Sequence, residues 1–201
     1  MKRIWIDVGA HLGEKTLAAA EQDPGLRVYA FEPNLAVAKE LIGRLPNYVV
    51  LPMAVAETDG CVDFHLNAFA AASSLLPFNP EGLRRWAGGD VLKVERTMAV
   101  PAVRLDTFMG LMDIAQVEFL KIDAQGADLA VVRSAGSRLR DVARLALEVQ
   151  VAGVPLYEGG SERSAVVDYL TSRGFGMVSS ERQSLDQEEN LVFVREAGTG
   201  S

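Results

Sequence analysis

Cysteine is almost absent from this chain: Cys61 stands alone in 201 residues. A single thiol excludes an internal disulfide and fits a reducing compartment, and as a small apolar side chain it is expected to be buried. Histidine is nearly as scarce, with only His11 and His65, so no His/Cys cluster offers ligands to zinc and no metal is expected. Basic charge is also in short supply, 20 Lys and Arg against 27 Asp and Glu, for a net charge of −7 and a pI near 4.9. Nucleic-acid binders need a basic stripe to neutralise phosphates, and none is visible, so nucleic acid is not an expected partner. The longest uncharged stretch, Leu66 to Pro80, contains asparagine, serine and proline and is too short to cross a bilayer. The start Met1-Lys2-Arg3 runs into an acid at Asp7 before an apolar core of leader length can form, so no signal peptide is expected. A cytoplasmic location follows as the expectation.

What is present reads as one α/β domain over 1–195, with a small polar tail at 196–201 expected to fray; no repeat or internal boundary interrupts it. Hydrophobic residues make up 49%, enough for a single large core. The opening run Ile4-Trp5-Ile6-Asp7-Val8 reads as a strand buried on both faces, and Gly9 and Gly13 mark the passage into a helix over Glu14 to Gln22. Such a turn aims backbone N–H groups at a ligand, with glycine removing the Cβ from its path. A second strand, Arg27 to Phe31, ends in Glu32-Pro33-Asn34 before a helix over Leu35 to Leu45. Glu32 lies roughly 20 residues past Gly13, the spacing at which a carboxylate grips a ribose diol in doubly wound folds. A dinucleotide turn would need G-x-G-x-x-G, but His11 and Glu14 occupy the second and third glycine places counted from Gly9. That argues against NAD.

Further along, Tyr48 to Ala56 predicts a third buried strand and Glu57-Thr58-Asp59-Gly60 a turn. Cys61 to Leu66 and Val94 to Val103 alternate with period two and are expected to pair antiparallel, outside the main sheet. Between them Asn67 to Asp90 is long and irregular, which in a compact domain suggests function; it is read as a lid on the acceptor side. Within it Trp86 would stack on a sugar face while Arg84 and Arg85 fork a nearby oxyanion. Val117 to Ile122 predicts the fourth strand, ending at Asp123, with a helix over Gly126 to Ser134. Leu145 to Val149 predicts the fifth. Arg163 to Arg173 reads as a helix stopped by Gly174, and Phe175 to Val178 with Leu191 to Val194 as a closing hairpin linked through Glu188-Glu189-Asn190. In open parallel sheets ligands gather outside the carboxyl ends of strands, so Asp7, Glu32 and Asp123 should converge on one crevice. Lys121, on the same side of its strand as Asp123, is costly in an apolar strand unless a carboxylate pairs with it.

Asp7, Gly9 and Gly13 match the D-x-G-x-x-x-G turn of methyltransferases that use S-adenosylmethionine. Together with Phe31-Glu32-Pro33-Asn34, Arg104-Leu105-Asp106, Leu120 to Asp128 and Leu147-Glu148-Val149, they make the chain resemble the FkbM family of these enzymes. The resemblance implies a doubly wound, Rossmann-like class I fold, with a seven-stranded, mostly parallel sheet and an antiparallel last strand, here with the inserted hairpin and lid. It also implies O-methylation of a hydroxyl on a sugar, glycolipid or secondary metabolite. Asp7, Gly9, Ala10, His11, Gly13, Thr16, Glu32, Pro33, Ala54 and Val55 are then the expected cofactor contacts. Asp123, Glu148 and Lys121 form the catalytic set, and His65 and His11 are further candidates for the base that a hydroxyl acceptor requires. The chain departs from the family at His11, Gln125, Asp128 and Gln150, where asparagine, glutamate, glutamate and histidine are frequent. Gln125 and Gln150 motivate an alternative, a nucleoside-binding protein without turnover.

Overall fold

The computed structural model describes residues 2–196, and the expected tail at 196–201 lies outside them beyond Glu196. In chain order the strands are β1 (Arg3–Val8), β2 (Leu26–Phe31), β3 (Tyr48–Leu51), β4 (Ala54–Val55), β5 (Gly60–Asn67), β6 (Val94–Val103), β7 (Val117–Ile122), β8 (Val142–Gln150), β9 (Phe175–Gln183) and β10 (Glu188–Arg195). The α-helices are α1 (Leu17–Gln22), α2 (Leu35–Leu41), α3 (Pro80–Arg85), α4 (Leu105–Leu111), α5 (Asp128–Ser134) and α6 (Arg163–Ser172). Seven strands form one sheet in the order β3-β2-β1-β7-β8-β10-β9, parallel except for β10, which runs antiparallel to both its neighbours. This is the doubly wound fold with an antiparallel last strand.

The burial of β2 shows why its sequence is an unbroken apolar run. Val28 and Ala30 pack with Ala20 of α1 and Leu41 of α2, while Tyr29 and Phe31 meet Phe108 of α4 edge to face at 5.2 and 4.9 Å. Helices therefore cover both faces, and the polar ends of β1, β2, β7 and β8 are left to face a common crevice. A second sheet, in the order β4-β6-β5, carries the expected antiparallel pair.

Several expected boundaries move. The predicted strand Tyr48 to Ala56 is two strands, because the chain leaves the main sheet at Pro52, which has no N–H to give a ladder, and β4 joins the second sheet beside β6. The first helix begins at Leu17 rather than Glu14, since Gly13 sits at φ 75° in a left-handed turn. Glu188 to Asn190 belong to β10 instead of linking to it; the turn is Ser184 to Gln187, with Ser184, Leu185 and Asp186 all at positive φ. Cys61 is exposed and not buried, because β5 is the outer strand of the small sheet.

Candidate functional site

A cleft of about 460 Å³ opens at the carboxyl ends of β1, β2, β7 and β8. The turn after β1 forms one wall. Gly9 N and Ala10 N both donate to Phe31 O at 3.0 Å, which staples this turn to the end of β2. Gly9 sits at φ 69°, and a Cβ there would stand 1.9 Å from the Asp123 carbonyl oxygen. The glycine is thus demanded by the neighbouring strand as well as by its backbone conformation. Gly13 likewise faces protein: its Cβ would meet the Tyr48 hydroxyl at 3.0 Å and Leu17 at 3.1 Å.

Glu32 stands at the far side of this turn, buried, with His11 N donating to Oε2 at 2.9 Å and Asn34 N to Oε1 at 2.8 Å. Burial raises its pKa, and the two N–H groups work against that rise. One lone pair on each oxygen is engaged, which fixes the plane of the carboxylate and leaves the others for a ligand. Asn34 also caps α2, accepting from Ala36 N at 3.1 Å, so one short motif sets the strand end, the carboxylate and the helix start.

At the base of the cleft lies a buried charge cluster. Lys121 Nζ donates to Gly9 O at 2.6 Å and lies 3.0 Å from Asp7 Oδ1 and 3.7 Å from Asp123 Oδ2. Burial opposes the ammonium, but the Asp7 and Asp123 carboxylates prevail and hold its pKa above the ordinary lysine value. Lys121 is therefore a cation that organises this corner and is unsuited to act as a base. Asp7 Oδ2 accepts from Thr16 Oγ1 at 2.5 Å, and Thr16 pairs with the Tyr48 hydroxyl at 2.9 Å. Asp7 Oδ1 has no aligned hydrogen-bond donor, so its contact with Lys121 is one of charge.

Toward the other end, Asp123 Oδ1 accepts from Gln125 Nε2 at 2.8 Å. Glu148 and Glu188 share the wall with it. Burial, followed by the Asp123, Glu188 and Asp128 carboxylates, pushes Glu148 up to about 8. Burial also raises Glu188. Asp128 is fully enclosed behind them and pushed up to about 7 by burial, although Ala124 N and Gly126 N donate to it at 3.0 and 3.1 Å.

Asp7, Gly9, Ala10, His11, Glu32, Pro33, Ala54, Val55, Lys121, Asp123 and Glu148 all line the one cleft. Gly13 and Thr16 do not: they sit behind its wall, where Thr16 supports Asp7. His65 is outside it as well, bound to Thr97 Oγ1 at 2.9 Å on the small sheet. From the lid segment, Phe69 to Leu75 and Trp86 line the cleft, while Arg84 and Arg85 point away, Arg85 pairing with Glu81 at 2.5 Å. Sequence reasoning passed over Ser74, Glu188 and Ser184. Glu188 was masked by reading its segment as a linker, and recognising its strand would have placed it opposite Gln150. Arg104-Leu105-Asp106 is structural: Arg104 forks Asp106 at 2.9 and 2.7 Å and reaches Ser134 O at 3.2 Å. Among the described residues no group of three or more His, Cys, Asp or Glu could hold a metal ion, and no helix is long and apolar enough to cross a membrane.

A comparison with curated protein sequences finds no match. Among solved structures the chain is similar to magnesium protoporphyrin IX methyltransferase from Synechocystis PCC 6803 with bound S-adenosylmethionine, at TM-score 0.52 and 10% identity over 97% of this chain and 71% of that one. Aeropyrum pernix fibrillarin with natively bound S-adenosylmethionine gives TM-score 0.52 and 12% identity over 96% of this chain and 66% of that one. A methyltransferase dependent on the same cofactor from Aquifex aeolicus gives TM-score 0.50 and 13% identity over 97% and 84%. At such identities the likeness speaks for the fold alone. The family model described as Methyltransferase FkbM domain, however, matches residues 7–177, from within β1 to the start of β9. The chain belongs to the FkbM family of S-adenosylmethionine-dependent methyltransferases.

Proposed function

We propose that this methyltransferase acts on a hydroxyl of an uncharged acceptor with an apolar face, such as a sugar-like compound or a secondary metabolite. The observation that carries the reading is the division of the cleft, with a backbone-fixed carboxylate, Glu32, toward one end and two converging carboxyl groups, Asp123 and Glu148, toward the other.

The residues present suit the cofactor. Glu32 offers two carboxylate oxygens, each already oriented by one backbone N–H, a donor set that fits a ribose diol. Ala10, Pro33, Ala54 and Val55 supply small apolar walls beside it. When bound, S-adenosylmethionine supplies a methyl group activated by a positively charged sulfur. The protein's own part is to align the acceptor, exclude water and take up one proton; alignment alone is worth about 7 kcal/mol or more in favourable systems. Asp123 is the first candidate to take the hydroxyl proton on its carboxylate, a contribution of roughly 10² to 10⁴ in rate, with Glu148 the next. The cations on the lining are Lys15, at the exposed rim, and Lys121, which the Gly9 carbonyl and two carboxylates already occupy. An anionic acceptor would meet Asp123, Glu148 and Glu188 with Lys15 at the rim as the cation left to balance them, whereas Phe64, Phe69, Trp86 and Leu92 suit an apolar face.

The test is incubation of the protein with ¹³C-methyl-labelled cofactor and cell extract, followed by mass spectrometry and NMR. A labelled small molecule whose methyl carbon resonates as a methyl ether supports the reading. A methylated amine overturns the choice of hydroxyl, and retained cofactor without product leaves a binding protein.

A further inference from the structure

Gln125 occupies a position out of proportion to its place on a short turn. Its backbone is left-handed, at φ 49°, a conformation that L side chains adopt rarely and mostly where surroundings enforce it. Three contacts do so. Its amide Nε2 donates to Asp123 Oδ1 at 2.8 Å, its Oε1 accepts from the Tyr157 hydroxyl at 3.0 Å, and its main-chain oxygen accepts from Ser74 Oγ at 2.7 Å. Tyr157 is itself held: its ring stacks on Phe78 with centroids 5.1 Å apart, it lies against Gly126, and its hydroxyl also reaches Ala72 O at 2.9 Å. Ala72 and Ser74 belong to the segment lining the acceptor end of the cleft.

We infer that Gln125 is a positioning residue for methyl transfer, fixing the Asp123 carboxylate and joining it to the segment that covers the acceptor. The inference rests on the reading of Asp123 as the group that meets the acceptor. The polarity of the network supports it. Rotating the amide by half a turn would set Oε1 against the Asp123 Oδ1 lone pairs, acceptor to acceptor, so the observed orientation is the one that holds this oxygen in place. A fixed negative charge here is also felt by its neighbour: Asp123 is the foremost of the carboxylates that raise Glu148, ahead of Glu188 and Asp128, while Lys15 acts weakly in the opposite direction. The titration of Glu148 therefore reports where the charge of Asp123 sits.

The experiment follows the Glu148 carboxyl carbon by NMR across pH in the ligand-free protein, alongside calorimetry with S-adenosylhomocysteine. In the unaltered protein the midpoint is expected at about 8. Asp123→Asn should lower it by roughly half a pH unit or more, the effect of removing one nearby like charge. Gln125→Ala should lower it in the same direction by at least half as much, because an untethered Asp123 is free to turn toward water. Tyr157→Phe, which removes only the hydroxyl that holds the amide, should produce a smaller shift of the same sign, and it carries the test if Gln125→Ala fails to fold. A purely structural Gln125 would lower the melting temperature and leave the Glu148 midpoint in place; that result, or a midpoint insensitive to Asp123→Asn, overturns the inference. Failure of the unaltered protein to bind S-adenosylhomocysteine would count instead against the function proposed above.

Discussion

The two ends of the cleft are built on opposite electrostatic terms. At the end proposed for the cofactor the buried charges have fixed partners: Glu32 has two backbone N–H groups, Asp7 has Thr16 and Lys121, and Lys121 has the Gly9 carbonyl. At the end proposed for the acceptor Asp123, Glu148 and Glu188 face one another, and burial raises the last two. The first arrangement pre-organises a site for a ligand that never changes. The second stores like-charge repulsion that a bound acceptor can relieve, the pattern expected where proton affinities are tuned for chemistry. Damage at the first end should therefore appear in folding and cofactor affinity, and damage at the second in turnover and pH dependence.

The largest effect is expected from Lys121→Met. It leaves Asp7, which is 1% exposed, as a buried carboxylate with Thr16 as its remaining donor. Breaking a buried pair in this way costs about 3–5 kcal/mol. Chemical denaturation should show a loss of that size, and the double variant Asp7→Asn with Lys121→Met should recover much of it. An equal loss in the double variant would mean that Lys121 matters through its stem and not its charge.

Glu32→Ala is next. If each charge-assisted bond to a ribose hydroxyl is worth about 1.5 to 3 kcal/mol, affinity for S-adenosylhomocysteine should fall by roughly 100-fold or more. Glu32→Gln should lose less, since it keeps one acceptor oxygen. Calorimetry finding the alanine variant as tight as the unaltered protein would remove Glu32 from the cofactor site and erase the distinction between the two ends.

The same division governs how much of the molecule was legible in its sequence. The cofactor end is written locally. Buried parallel strands such as Ile4 to Val8 and Val117 to Ile122 appear as continuous apolar runs, and a lysine inside one of them announces an ion pair, which the structure supplies in Asp7. The place of Glu32 on the cleft could be found by spacing because strand, turn and helix lengths in this fold are nearly constant. The acceptor end depends on contacts distant in sequence: Ser74 meets Gln125, Tyr157 meets Ala72, and Glu188 is brought to the cleft by a hairpin from the far end of the chain. Local pattern cannot show these. It also misled at Arg84 and Arg85, whose closeness to Trp86 suggested one shared pocket, although α3 turns both outward. Pro52 was a visible breaker whose consequence, a change of sheet, depended on the distant β6.

A smaller effect is expected from Trp86→Ala. Trp86 follows α3, its main-chain N–H donating to Gly82 O at 2.9 Å, and it lines the cleft while remaining half-buried. Loss of an aromatic contact to an acceptor face should reduce turnover by about tenfold, the equivalent of roughly 1.4 kcal/mol, with cofactor affinity unchanged. Parallel losses in melting temperature and turnover would assign Trp86 to anchoring the segment instead.

The effect expected in Glu148→Gln is small at low pH and grows with one sign as pH rises. The folded-state pKa of Glu148 is about 8 against an ordinary value of 4.5, so between those limits the folded protein holds a proton that the unfolded chain has released. Bound protons favour the state that binds more of them. The stability contributed by the neutral carboxyl is thus fully present below pH 4.5 and is lost as pH rises through about 8. Glutamine has nearly the same shape and cannot ionise. The variant should melt close to the unaltered protein at pH 5 and well above it at pH 9, by on the order of several kcal/mol. Asp123→Asn in the same scan should reduce the gap, since the charge that opposes Glu148 ionisation is then gone. Melting curves that separate the two proteins equally at both pH values would show that Glu148 is not under strain from its neighbours, and the electrostatic contrast between the two ends of the cleft would fail at the residue where it is sharpest.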